Sequence, residues 1–147
     1  MVYCDSSFLV ALSVPDAFTG KARRMAAGFS DPIPLVLIGE LELFHRVHSA
    51  VGENRLSVKE HFSVIRQIEE DLADGILVRK NLHPREHLNE ALRLSRKFAS
   101  KLPCRSLDIL HVAAALQMKY EHFASFDRRQ RELASTAGLR LLPVKLS

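Results

Sequence analysis

Apolar and polar positions in this chain alternate between a short β-like period and a longer helical one. Val2-Tyr3-Cys4 is a brief β-prone run that breaks on Asp5-Ser6-Ser7. The stretch Phe8–Leu12 then predicts a helix, with Ser6 or Ser7 as its N-cap and Pro15 as its end. A second helix is expected over Ala17–Phe29, with Lys21, Arg23 and Arg24 on one side. Asp31-Pro32-Ile33-Pro34 reads as a turn and sheet edge, and Leu35-Val36-Leu37-Ile38 is too short to assign by period. Glu42–Val51 places Leu43, Val47, Ala50 and Val51 on one helical face, and Gly52-Glu53-Asn54 breaks it.

Ser57 and Glu60 form a capping box ahead of the stripe Phe62, Ile65, Ile68 and Leu72. Asp74-Gly75 stops that helix, and Ile76-Leu77-Val78 reads as a strand. Pro84 suits the first turn of a helix whose apolar face is Leu88, Ala91, Leu92, Ser95 and Phe98. Ser106 is expected to cap a helix from Leu107 to about Tyr120, apolar nearly all round and therefore buried. His122–Phe126 reads as a strand, Arg128–Ala137 as a basic helix ended by Gly138, and Arg140–Val144 as the last strand. Short strands alternating with helices mean βαβ units and a mostly parallel sheet covered on both faces. In such sheets ligands bind beyond the carboxyl ends of the strands, where Asp5 and Asp127 both fall.

At 147 residues the chain is expected to form one α/β domain over 1–147. Hydrophobic residues at 47% and charged residues at 26% exclude a disordered chain. A net charge of +4 suits a polyanionic partner without requiring one. Two distant cysteines, Cys4 and Cys104, do not make a disulfide scaffold, and a reducing cytoplasm is expected. No run approaches the ~18 uninterrupted apolar residues of a membrane span, and no basic segment precedes an apolar run as in a signal peptide.

Several chemistries lack their motifs. There is no GxxxxGK[ST], no GxGxxG and no GxSxG. His83 and His87 have helical ligand spacing but no third partner for zinc, and His111 reads as a core histidine. What stands out is a set of acids: Asp5 closing a strand, Glu42 two residues after Glu40, Asp108 opening an apolar helix, and Asp127 at a strand end. Each also has a plain structural reading: Asp5 and Asp127 as helix caps, Asp108 as a first-turn acid favoured by the helix dipole, Glu40 and Glu42 as surface. Brought to one cleft, such carboxylates repel one another, and a hard divalent cation offsets that repulsion. Acids with a hydrated Mg²⁺ or Mn²⁺ are equipped to hydrolyse phosphodiesters.

These residues carry a family resemblance. Asp5-Ser6-Ser7-Phe8-Leu9 resembles the opening motif of the PIN-domain nucleases, and Leu41-Glu42-Leu43-Phe44-His45-Arg46-Val47 resembles their second. Arg105-Ser106-Leu107-Asp108-Ile109-Leu110-His111-Val112-Ala113-Ala114 is similar to the third, and Phe123-Ala124-Ser125-Phe126-Asp127-Arg128-Arg129-Gln130 to the fourth. The motifs occur in order along the whole chain and look most like the VapC-type toxins. The resemblance implies a three-layer α/β/α sandwich and a ribonuclease dependent on Mg²⁺ or Mn²⁺. It implies RNA as substrate, a cognate antitoxin as partner, and a homodimer. It assigns the acid roles to Asp5, Glu42, Asp108 and Asp127, with Ser6 and Ser125 in support. The sequence departs from the pattern near the second motif, where Glu40 competes with Glu42 and His45-Arg46 is unusual. Arg105, Arg128, Arg129 and Arg131 are candidates to hold RNA phosphates. Two other readings remain open: an inactive PIN-like scaffold that binds RNA without cutting it, and a DNA-directed nuclease on the same fold.

Overall fold

Five short strands and seven helices alternate along the chain in a computed structural model that describes residues 1–146. They are β1 (Val2–Cys4), α1 (Ser6–Ser13), α2 (Thr19–Ala27), β2 (Ile33–Leu35), α3 (Leu37–Gly52), α4 (Val58–Ala73), β3 (Leu77–Arg79), α5 (Pro84–Phe98), α6 (Ser106–Gln117), β4 (His122–Ala124), α7 (Arg128–Thr136) and β5 (Arg140–Leu142). All pairings are parallel: β1 with β4, β4 with β5, and β2 with β3. Side chains alternate across the sheet as the two-residue period requires. Cys4 and Ala124 point into a cluster with Phe8, Leu9, Leu43, Val47 and Ile68 from α1, α3 and α4. Tyr3 and Phe123 point the other way, into a cluster with Leu94, Val112 and Leu133 from α5, α6 and α7. Each fully buried Phe or Leu here contributes about 1.5–3 kcal/mol. Three layers result, as the resemblance implied.

The sheet is hydrogen-bonded in two pieces, β1-β4-β5 and β2-β3, although β1 lies against β2. Pro34 explains the break. Ile33 N donates to Ile76 O and Leu35 O accepts from Lys80 N, so both residues on either side of Pro34 face β3. In a parallel ladder alternate residues face opposite neighbours, and Pro34 therefore faces β1 with no N–H to give.

Several local signals differ from expectation for physical reasons. Asp5, not Ser6 or Ser7, caps α1: its backbone is extended and its carboxylate accepts from Phe8 N. Helix α2 starts at Thr19 rather than Ala17. The Asp16 carboxylate accepts from Phe18 N, and Thr19 Oγ1 accepts from Asp16 N, which holds the preceding turn out of the helix. The ambiguous run 35–38 divides, with Leu35 closing β2 and Leu37 opening α3 five residues before Glu42. Arg105 takes the cap position of α6, and Ser106 is its first helical residue. The Ser57–Glu60 capping box and Pro84 at the start of α5 form as read. No helix among the described residues is long and apolar enough to cross a membrane.

Candidate active site

Strand ends and helix starts converge on one cleft of about 630 Å³. Asp5 follows β1, Asp127 lies just beyond β4, Asp108 sits in the first turn of α6, and Glu42 lies midway along α3. All four line the cleft. Glu40 does not. Its carboxylate is in a bidentate pair with Arg79, the closest approach 2.7 Å.

The structural readings of Asp5, Asp108 and Asp127 hold, and they leave these carboxylates on the cleft. Asp5 Oδ1 accepts from Phe8 N at 3.0 Å and from Ser7 Oγ at 2.6 Å, while Oδ2 accepts from Ser125 Oγ at 2.5 Å. Asp127 Oδ1 caps α7 by accepting from Gln130 N, and Asp108 Oδ2 accepts from Arg105 N at 2.7 Å. The second oxygen of Asp127 and of Asp108 has no protein hydrogen bond among the described residues. Capping fixes the direction of each carboxylate at a strand end or helix start, where it enters the cleft.

Asp5 is 2% exposed. Burial pushes its pKa upward, against the opposing effects of the His111 charge and the hydrogen bonds from Ser125, Ser7 and Phe8. No Arg or Lys among the described residues lies within ion-pair distance of Asp5, Glu42, Asp108 or Asp127. Glu42 behaves oppositely. Burial raises its pKa, but the hydrogen bond and charge of His111, with the hydrogen bond from Ser6, outweigh it and hold the carboxyl below its usual range. Ser6 Oγ donates to Glu42 Oε2 at 3.2 Å, so Ser6 supports Glu42 whereas Ser7 supports Asp5.

Sequence reasoning missed a buried chain behind Glu42. The Tyr3 hydroxyl lies 2.6 Å from His111 Nδ1, and His111 Nε2 lies 2.5 Å from Glu42 Oε1. Burial, then the charges of Asp5, Cys4 and Glu42, push the Tyr3 pKa well up, so the phenol stays protonated. An ionised Glu42 can only accept, so His111 Nε2 carries the proton that it donates, and the Tyr3 hydroxyl partners the other ring nitrogen. His111 therefore faces the cleft as well as the core. Its position one helical turn after Asp108 was the available signal. His87 is also occupied, its Nε2 lying 2.8 Å from Leu110 O across α5 and α6.

The arginines separate by orientation. Arg105 and Arg129 line the cleft, joined by Arg46 and Arg55, which the motifs did not point to. Arg128 is exposed outside the lining. Arg131 turns inward, and its guanidinium donates to the carbonyls of Ser125, Leu142, Pro143 and Val144 at 2.7–3.3 Å. It holds the β4 and β5 ends together and is not available to a ligand.

The donor chemistry suits a hard cation. Carboxylates from four chain segments, with hydroxyls beside them, favour Mg²⁺ or Mn²⁺ over a soft metal. Among the described residues no three acidic, His or Cys side chains come together closely enough to hold a metal ion by themselves.

No protein-family model matches the sequence, and no curated protein matches it by sequence. Solved structures do match. The toxin VapC20 of Mycobacterium tuberculosis, described as cleaving the sarcin-ricin loop, superposes with a TM-score of 0.69 at 15% identity, covering 95% of this chain and 96% of that one. FitAcB of Neisseria gonorrhoeae gives a TM-score of 0.68 at 14% identity, covering 96% of each chain. The fold is thus the VapC-type PIN fold.

Proposed function

We propose that this chain is a divalent-cation-dependent endoribonuclease, acting as the toxin of a toxin–antitoxin pair. The observation that carries the proposal is the convergence of Asp5, Glu42, Asp108 and Asp127 in one cleft, unpaired with any Arg or Lys among the described residues yet rimmed by arginines. An acidic floor that no Arg or Lys among the described residues pairs with attracts a metal ion, and an arginine rim attracts phosphates. Asp5, Glu42, Asp108 and Asp127 would hold Mg²⁺ or Mn²⁺. When bound, such an ion acidifies a water and stabilises charge on phosphate oxygens. The chain's own side chains do the rest. Ser7 and Ser125 fix Asp5, and Ser6 and His111 fix Glu42. Arg46, Arg55, Arg105 and Arg129 grip the RNA backbone across the cleft.

Partners follow the same reading. The sarcin-ricin specificity belongs to VapC20, and the RNA cut here is part of the proposal only as a class. An antitoxin and a second copy of the chain are proposed as protein partners in the cytoplasm. Leu37 and Leu41 on α3, and Leu88 and Leu92 on α5, stay 41–72% exposed at helical spacing, which supports protein contacts there.

The test is cleavage of a structured RNA with Mg²⁺, with Mn²⁺ and with EDTA, beside DNA of the same sequence. Asp108→Asn keeps an oxygen for Arg105 N and so keeps the start of α6. It should cut at least 100-fold more slowly at an unchanged melting temperature. Full activity in Asp108→Asn, or cleavage undiminished by EDTA, refutes the assignment. Binding without cleavage selects the scaffold reading, and preference for DNA selects the DNA nuclease.

A further inference from the structure

One wall of the cleft is aromatic. Phe18 stacks on Phe126 with ring centroids 4.6 Å apart and planes inclined by 16°. Phe126 stacks on Phe8 at 5.5 Å and 9°, and Phe8 on Phe29 at 6.0 Å and 24°. Exposure rises along this ladder toward the cleft: Phe8 0%, Phe126 8%, Phe18 38%. Phe18 therefore has one ring face covered by Phe126 and keeps exposed ring surface on the cleft lining. The ladder is tied to the acids. Phe126 immediately precedes Asp127, and Phe8 N is the donor that Asp5 Oδ1 accepts. The outer rung is held as well, since Phe18 N donates to Asp16 Oδ1 at 2.7 Å.

We propose that Phe18 is a stacking platform for an unpaired nucleobase of single-stranded RNA, set beside the acids of the cleft. This rests on the ribonuclease reading above and extends it to the form of RNA that is held. A nucleotide has a flat apolar base and an anionic phosphate. The cleft offers the complement of both: an aromatic face at Phe18, and guanidinium groups at Arg46, Arg55 and Arg129. A peptide or a purely apolar ligand would use the ring and leave the arginines unmatched. Bases inside a duplex have both faces covered by their neighbours, so only an unpaired or loop base can reach the ring. The ring is already braced by Phe126 and Phe8, so little ordering is needed on binding. Stacking on any base is sequence-tolerant, so Phe18 selects strand form rather than sequence.

The experiment uses short single-stranded RNA carrying 2-aminopurine, titrated into the full chain with Mg²⁺ present and the Asp108→Asn substitution blocking turnover. Phe18 stacking should quench the fluorophore at one nucleotide position. In the same background, Phe18→Ala should weaken binding about tenfold, within the roughly 5–150-fold range of one stacked base, and abolish the quench. Phe18→Tyr should restore both. Phe18→Leu keeps most of the packing against Phe126 but has no flat face, and should bind as weakly as Phe18→Ala. In the active chain, Phe18→Ala should raise KM with kcat changed less than twofold, and duplex RNA should be insensitive to the substitution. Equal binding and quenching with and without Phe18→Ala overturns the platform, as does rescue by Phe18→Leu, or equal losses on duplex and single strand. The binding arm needs no cleavage. An unquenched complex with an active enzyme therefore defeats the platform alone, and absence of any RNA binding defeats both readings.

Discussion

Replacing Asp5 by asparagine separates what this carboxylate does for folding from what it does for chemistry. The amide keeps an oxygen that accepts from Phe8 N and Ser7 Oγ, so α1 keeps its cap. Its nitrogen meets Ser125 Oγ, which can turn to accept, because that hydroxyl also has Asp127 O within 3.4 Å. What disappears is a charge that is 2% exposed and has no Arg or Lys within ion-pair distance among the described residues. Burying such an ion costs several kcal/mol, and in setting the Asp5 pKa that cost outweighs its three hydrogen bonds and the His111 charge. The net should favour the amide by about 1–2 kcal/mol, the size typical of relieving a functional compromise. For a chain of this length that is a rise in Tm of about 3–8 °C, measured by calorimetry in EDTA.

The pH dependence has a definite sign. The folded pKa of Asp5 lies above its unfolded value of about 3.9. Stability linked to the protonated form is full below that unfolded value and is lost as pH rises through the folded one. The advantage of Asp5→Asn should therefore vanish near pH 4 and grow toward neutrality. Mg²⁺ or Mn²⁺ should then close the gap by stabilising the parent chain and not the variant. RNA cleavage should be lost throughout. A lower Tm for Asp5→Asn in EDTA at pH 7 would refute the reasoning, because the charge would then be a net structural asset.

Two further outcomes follow from the surrounding contacts. Tyr3→Phe keeps the ring stacked 5.3 Å from Phe123 but leaves buried His111 Nδ1 without its hydrogen-bond partner, which should cost about 1–3 kcal/mol in urea unfolding and slow cleavage by loosening Glu42. Arg131→Ala strips donors from four carbonyls and should destabilise by about 2–5 kcal/mol, whereas Arg128→Ala should stay within about 0.5 kcal/mol; equal effects would contradict the inward orientation of Arg131.

Legibility in the sequence tracked how local the deciding physics was. The Ser57–Glu60 capping box, Pro84 opening α5 and the apolar circumference of α6 depend on neighbours within a turn or two, and all three form. The strand character of Ile33–Leu35 depends on β3, some forty residues on, so Asp31–Pro34 read as a turn and sheet edge, and only the edge part describes Pro34, a strand residue facing a ladder gap. Asp5, Asp108 and Asp127 stood out because each lies at an element boundary, whereas Glu42, inside α3, stood out only through its motif. Their shared cleft was legible only through motif order. The Tyr3–His111 bond spans 108 residues and left no pattern at either end. Arg128, Arg129 and Arg131 look alike in sequence. Successive residues turn by roughly 100° around a helix, and only the packing of α7 against β5 decides which guanidinium points inward.

The double duty of the capping acids also bears on mutation. Asp5 and Asp127 each start a helix with the side chain that enters the cleft, so replacements that keep a helix start are confined largely to Asn, Ser and Thr. None of these carries a negative charge. Asp and Asn codons differ by one base, so, under the proposed function, variants that still fold but no longer cleave lie a single step away. In a lineage selected against the proposed activity, amides at these two positions should accumulate before any lesion in the core.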